Sequence, residues 1–161
     1  MNKTDIMKML DECNISYEMI DHPAAYTIED MDGFELPNAH QVAKNLFVRD
    51  DKKRSYYLLT ISKDKTVNLK QLRELLLSRP LSFASEEDLS KYLGLQKGAV
   101  SPLGILNDTE LKVEVIIDED LLQQGNIGIH PNENTATIWM PLENLFSIIS
   151  NHGNAVRVLK I

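Results

Sequence analysis

The chain has 161 residues, 43% hydrophobic and 25% charged, with a formal net charge of −7. That length fits one domain with a sizeable core, and the acidic balance excludes broad, sequence-independent affinity for nucleic acid. No apolar run could cross a bilayer, the opening MNKTDIMKMLDECNI lacks the apolar core of a leader peptide, and the lone Cys13 has no disulfide or zinc partner.

A cytoplasmic protein is therefore expected, with Cys13 a plain buried or half-buried residue. The charge is unevenly spread. Residues 1–43 carry two basic and nine acidic side chains, residues 44–79 ten and four, and residues 80–161 five and eleven. The basic middle segment is either a set of solvated faces or a local landing site for a phosphate backbone.

In chain order, Ile6, Met9, Leu10 and Cys13 share one face of a helix over Asp5–Cys13. Ser16–Asp21 alternates like a strand and ends at His22-Pro23. Thr27 with Asp30 is a variant capping box for a short helix, and Leu36-Pro37-Asn38 reads as a loop. Ala43–Arg49 and Ser55–Ile61 read as strands joined by the charged turn DDKKR. Asn68 starts a leucine-faced helix that ends before Pro80, and Leu81–Ala84 is a short strand. Ser85 caps the helix EEDLSKYL, which Gly94 terminates. The loop GAVSPLG follows. Lys112–Ile117 is a strand, Asp118–Gln123 a helical turn, and Ile127–Ile129 and Thr135–Met140 are strands on either side of His130-Pro131. Pro141 suits the first turn of the helix LENLFSIIS, and Val156–Leu159 closes the chain as a strand. Strands and helices interleave without strict alternation. The expected fold is α+β, a mixed and largely antiparallel sheet surrounded by helices.

Dinucleotide-binding, P-loop, zincin and G-x-S-x-G motifs are all absent. The histidines at 22, 40, 130 and 152 share no metal-ligand spacing, so neither a metal nor another cofactor is expected. Three features could carry chemistry. Gly98-Ala99-Val100-Ser101-Pro102 is either a plain turn or a loop whose successive N–H groups face a developing oxyanion. Lys44-Asn45 opens an apolar strand, as a solvated edge or as the mouth of a pocket. His130 sits where a strand breaks at proline, and alone reads as structural before catalytic.

Together these pieces have a pattern. HPAAYT, AKNLFVRD, LSFAS, GAVSPLGILND and IHPNENTATI, in this order from about Tyr17 to the C-terminus, resemble the YbaK/ProX-type aminoacyl-tRNA editing family. Within it, the resemblance is closest to the free-standing prolyl-tRNA editing proteins that hydrolyse alanyl-tRNA(Pro). The family's K-N-L-F lysine and asparagine fall on Lys44 and Asn45, its glycine–proline loop on Gly98 to Pro102, and its late histidine on His130. The resemblance implies metal-free hydrolysis of an aminoacyl ester, with a substrate hydroxyl helping to orient the water. The N–H groups around Gly98, Ala99, Val100 and Ser101 would receive the oxyanion. Lys44 would anchor the terminal phosphate or ribose, and Asn45 and His130 would orient the acyl group or water, general-base action by His130 ranking below positioning.

The residues around 26–47 and 128–138 are the expected walls of the acyl pocket. Gln41-Val42-Ala43 and Gly128-Ile129 are the places where the chain is least typical of the family. Pro102 and the basic side chains Lys52, Lys53, Arg54, Lys63, Lys65, Lys70 and Arg73 are candidates for holding the acceptor end of the tRNA. Prolyl-tRNA synthetase is a compatible further partner, whereas DNA and membranes are not expected. Rival readings are a deacylase for cysteinyl-tRNA(Pro) or for a serine or threonine ester, and a non-catalytic module that senses an amino acid or aminoacyl-tRNA.

Overall fold

Eight strands form two sheets in the computed structural model, which describes residues 1–161. The smaller sheet is antiparallel, in the order β1 (Glu18–Asp21), β7 (Ala136–Pro141), β6 (Asn126–Ile129). The larger runs β4 (Leu81–Phe83), β2 (Ala43–Asp50), β3 (Tyr56–Ser62), β5 (Val113–Asp118), β8 (Val156–Leu159). Its β4–β2–β3 half is antiparallel, while β3, β5 and β8 are mutually parallel. The mixed, largely antiparallel α+β architecture is as expected. The division into two sheets is not legible locally, because pairings such as β1 with β7 join segments far apart in sequence.

Both faces of the larger sheet are covered, which is why β5 reads as the nearly unbroken apolar run VEVIID. Val113, Val115 and Ile117 face one way. They join Ile6 and Leu10 of helix α1 (Lys3–Glu12) and Leu142, Leu145 and Ile149 of helix α5 (Leu142–His152). Ile116 faces the other way, with Leu59 and Ile61 of β3 and Leu72 and Leu76 of helix α3 (Leu69–Leu76). The two-residue period of a strand makes this division automatic.

Local chemistry sets the boundaries. Asn2 Oδ1 accepts from the Asp5 N–H at 2.9 Å and Asp5 Oδ2 accepts from the Asn2 N–H at 3.0 Å, so α1 starts two residues before the expected position. It ends at Glu12, which leaves Cys13 as an exposed cap beyond the apolar face, not the buried or half-buried residue expected. Thr27 caps helix α2 (Ile28–Asp32), Asn68 caps α3, and Ser85 caps helix α4 (Glu86–Asp88), which continues as a π-helical turn over Leu89–Leu93. Pro141 stands at the cap before α5, one position short of the first turn. No helix is long and apolar enough to cross a membrane.

The two sheets meet through a single parallel bridge, Val42 with Gly128. A Cβ on Gly128 would stand 2.9 Å from Trp139 Nε1 and 3.1 Å from the Val42 Cα. Only glycine permits this approach, and the approach creates the seam where the site lies.

Candidate active site

A cleft of about 490 Å³ opens at that seam. Its walls come from the Ala25–Met31 segment, the first residues of β2, the Lys63–Thr66 loop after β3, the Gly98–Val100 loop, and the end of β6. Lys44, Asn45, Gly98, Val100 and His130 all line it, as do Val42, Ala43, Gly128 and Ile129.

Lys44 and Asn45 reach the cleft because they sit at the seam end of β2, opposite Ile61 and Thr60 of β3. Lys44 Nζ donates to the Lys65 carbonyl at 3.1 Å, which fixes the ammonium against the neighbouring loop. That loop is itself pinned. Lys65 Nζ lies 3.0 Å from Asp118 Oδ1, 2.7 Å from Asp120 Oδ2 and 3.0 Å from the Ile161 main-chain oxygen. Asn45 Oδ1 accepts from the buried Thr60 hydroxyl at 2.7 Å. The amide NH2 of Asn45 is thereby oriented while its donors bond to nothing in the chain.

His130 and His22 meet at the start of β7, their ring centroids 5.9 Å apart. The antiparallel neighbours β1 and β6 both end there, and each ends in a His-Pro pair. His130 Nδ1–H donates to the Ala136 carbonyl at 2.8 Å, so its Nε2 is the acceptor in the neutral ring. His22 Nδ1–H donates to the Pro23 carbonyl at 2.8 Å, and its Nε2 accepts from the Thr137 hydroxyl at 2.9 Å. His22 also stacks on Phe34, and Thr137 lines the cleft.

Burial pushes the His130 pKa below the ordinary histidine value; the Ala136 bond opposes this shift and the charge on nearby His22 adds to it. The unfolded chain then binds a proton that the folded ring resists. His130 costs no stability above about pH 6.5 and destabilises progressively as pH falls below it. The urea midpoint should drop between pH 7.5 and 5.5, and His130→Gln should reduce that drop. An identical decline in the variant would reject this assignment.

The Gly98–Pro102 loop splits in its roles. Gly98 takes φ +88° and packs against Tyr26. The Ala99 N–H is already used, donating to the Gln96 carbonyl at 3.0 Å, so Ala99 supplies no oxyanion donor. The N–H groups of Gly98 and Val100 have no acceptor in the chain, and both residues line the cleft. Ser101 is fully buried, and its Oγ accepts from the Leu103 N–H at 3.2 Å to cap a 3-10 helix over Pro102–Asn107. Ser101 and Pro102 therefore hold the loop from behind and do not touch the cleft.

The basic side chains also separate. Lys63 and Lys65 line the cleft, Lys63 paired with Asp32 at 3.2 Å and Lys65 held by its carboxylates. Lys52, Lys53 and Arg54 occupy the turn at the opposite end of the β2–β3 hairpin, about 20 Å from Lys44 at the usual strand rise. They lie outside the cleft, a placement that follows from Lys44 opening the strand these residues follow. Lys70 and Arg73 are exposed on α3, outside the cleft. Sequence reasoning missed the Lys63–Thr66 wall as such, along with His22, whereas Thr137 falls inside the expected 128–138 wall. The repeated strand–His-Pro pattern was the available signal for His22.

Residues 22–148 match the family model of the aminoacyl-tRNA editing domain. The chain is 42% identical over 159 residues to the prolyl-tRNA editing protein ProX of Acetoanaerobium sticklandii, covering 99% of this chain and 97% of that one. It is 32% identical over 146 residues to the prolyl-tRNA synthetase associated domain-containing protein 1 of Bos taurus, covering 87% and 84%. A crystal structure assigned provisionally as a trans-editing enzyme for prolyl-tRNA synthetase shares the fold, with TM-score 0.73 over 99% of this chain and 96% of that one at 21% identity. The chain belongs to the aminoacyl-tRNA editing domain family.

Proposed function

We propose that the protein is a trans-editing deacylase that hydrolyses the ester of mischarged alanyl-tRNA(Pro) without a metal. The observation that carries this reading is the convergence in one cleft of Lys44, Asn45, His130 and two unspent N–H donors, with no serine or cysteine among the lining residues. An activated ester needs no protein nucleophile. It needs a placed water, donors for the oxyanion and a fixed acyl group.

In this reading water adds to the ester carbonyl carbon, and the Gly98 and Val100 N–H groups receive the oxyanion. The tetrahedral adduct then collapses by breaking the bond to the ribose oxygen, which takes up the proton lost by the water. Free alanine and an intact tRNA 3′ end result. Lys44, as a point charge, holds the phosphate or ribose of the terminal adenosine. The Asn45 amide and His130 Nε2 orient the amino acid and the water.

Such an activity meets a real limit of recognition. A pocket shaped for proline discriminates poorly against the smaller alanine, since each missing methylene is worth only about 1–3 kcal/mol. A cleft walled closely by Val42, Ala43, Gly128 and Ile129 admits the small acyl group and rejects the ring.

The test is deacylation of alanyl-tRNA(Pro) beside prolyl-tRNA(Pro), with EDTA present, together with cysteinyl, seryl and threonyl esters. Alanine alone should be released, and Lys44→Ala should slow the reaction by about tenfold or more, the value of a charge-assisted contact. Release of another acyl group would move the specificity; no release from any ester would leave a binding module.

A further inference from the structure

Tyr26 is an exposed aromatic residue, 63% accessible. It stands on the partition between the cleft and a second hollow of about 510 Å³. The ring is not a loose surface side chain. Tyr26 N–H donates to Asp30 Oδ2 at 2.9 Å. The preceding residue is clamped from both sides, Ala25 N–H donating to the Asn134 carbonyl at 3.1 Å and Asn134 Nδ2 donating to the Ala25 carbonyl at 3.0 Å. Tyr26 Cδ1 lies 2.8 Å from the point where a Cβ on Gly98 would stand, so the absent side chain of Gly98 makes room for the ring.

The polar part of the second hollow's lining includes Gln96, Lys97, Asn132 and Asn134. Lys97 is exposed and in no ion pair. Asn132 is 8% exposed; its Nδ2 donates to the Met1 carbonyl at 3.0 Å, while its Oδ1 meets no donor. Glu133, the one acid in the lining, is occupied by the Lys3 N–H at 2.7 Å. A flat apolar face beside a free cation and amide groups is the chemistry of a single-stranded nucleotide, its base stacked and its phosphate paired.

We propose that Tyr26 and the hollow behind it form a subsite for the penultimate nucleotide of the substrate's single-stranded 3′ end. The cytosine stacks on Tyr26, the linking phosphate faces Lys97, and the exposed amide of Gln96 meets the base edge. This rests on the proposed function in one respect, that the terminal adenosine occupies the cleft.

The experiment compares binding of adenosine, CpA and CpCpA, none of which carries an ester, to the wild type, Tyr26→Ala, Tyr26→Phe and Lys97→Ala by equilibrium dialysis. The added cytidine should tighten binding by about tenfold. That gain should collapse in Tyr26→Ala, persist in Tyr26→Phe, and weaken with rising salt except in Lys97→Ala. A merely structural role for Tyr26 would lower adenosine and CpA binding together and leave their ratio intact, which overturns the proposal. So does the absence of any gain in the wild type. A gain that depends on Tyr26, in a protein that hydrolyses no ester of the panel, upholds the subsite and rejects the deacylase reading.

Discussion

Gly98→Ala is expected to lower kcat/KM for the alanyl ester by about 100-fold or more, the usual consequence of losing an oxyanion donor. The residue adopts φ +88°, where an L side chain is strained. The added Cβ would also lie 3.2 Å from the Tyr26 Cα and 3.3 Å from the Ala25 oxygen. Those two are backbone atoms, and no rotamer change relieves them. The loop must withdraw, carrying the Gly98 and Val100 N–H groups from their places. The conformational strain alone should cost about 1–2 kcal/mol of stability. Gly125→Ala is the matched control, with φ +75° but nothing within 4 Å of the new methyl, so it should be strained without affecting catalysis. Single-turnover deacylation and urea denaturation of both variants separate the effects. A Gly98→Ala enzyme within threefold of the wild-type rate would remove the loop from the mechanism.

Asp118→Ala should be strongly destabilising, by about 2–4 kcal/mol, because it strips two backbone N–H groups of their acceptor and takes from Lys65 one of its two carboxylates. Asp118 is fully buried at the end of β5 and satisfies three donors: the Ser62 N–H at 3.1 Å, the Asp120 N–H at 3.1 Å and Lys65 Nζ at 3.0 Å. Against a typical stability of about 5–15 kcal/mol, such a loss brings the domain near its threshold. Asp118→Asn keeps the shape and an acceptor, and should cost less. Function should suffer in both, since Lys65 holds the loop whose carbonyl fixes Lys44. KM should rise in the surviving fraction of Asp118→Asn. A destabilisation below about 1 kcal/mol for Asp118→Ala would show that the network around Lys65 is dispensable.

What could be read in advance followed the range of the interactions involved. Val156–Leu159 lies where its alternation puts it, and Asn68 and Ser85 cap as their side chains dictate, because those signals act within a few residues. Lys44, Asn45, Gly98 and His130, which line one cleft, were singled out by motif order and resemblance, and no periodicity could have united them. The split into two sheets and the exposure of Cys13 depend on registers and element ends that local pattern does not encode. Ser101 illustrates the same limit. A hydroxyl in a glycine–proline loop cannot announce whether it faces substrate or caps the next helix, and here it caps.

The pairing of β1 with β7 also sets a timetable. Glu18 lies opposite Trp139 and Asp21 opposite Ala136, so β1 must wait for a strand made more than a hundred residues later. During synthesis at about 5–20 residues per second, the early strand stays without its partner for on the order of ten seconds. Through that interval the Ala25–Met31 wall has no sheet to lean on, and the apolar side chains of β1 are open to chaperones. A nascent chain in which Ala136–Pro141 has not yet been made therefore lacks the strand that joins β1 to β6.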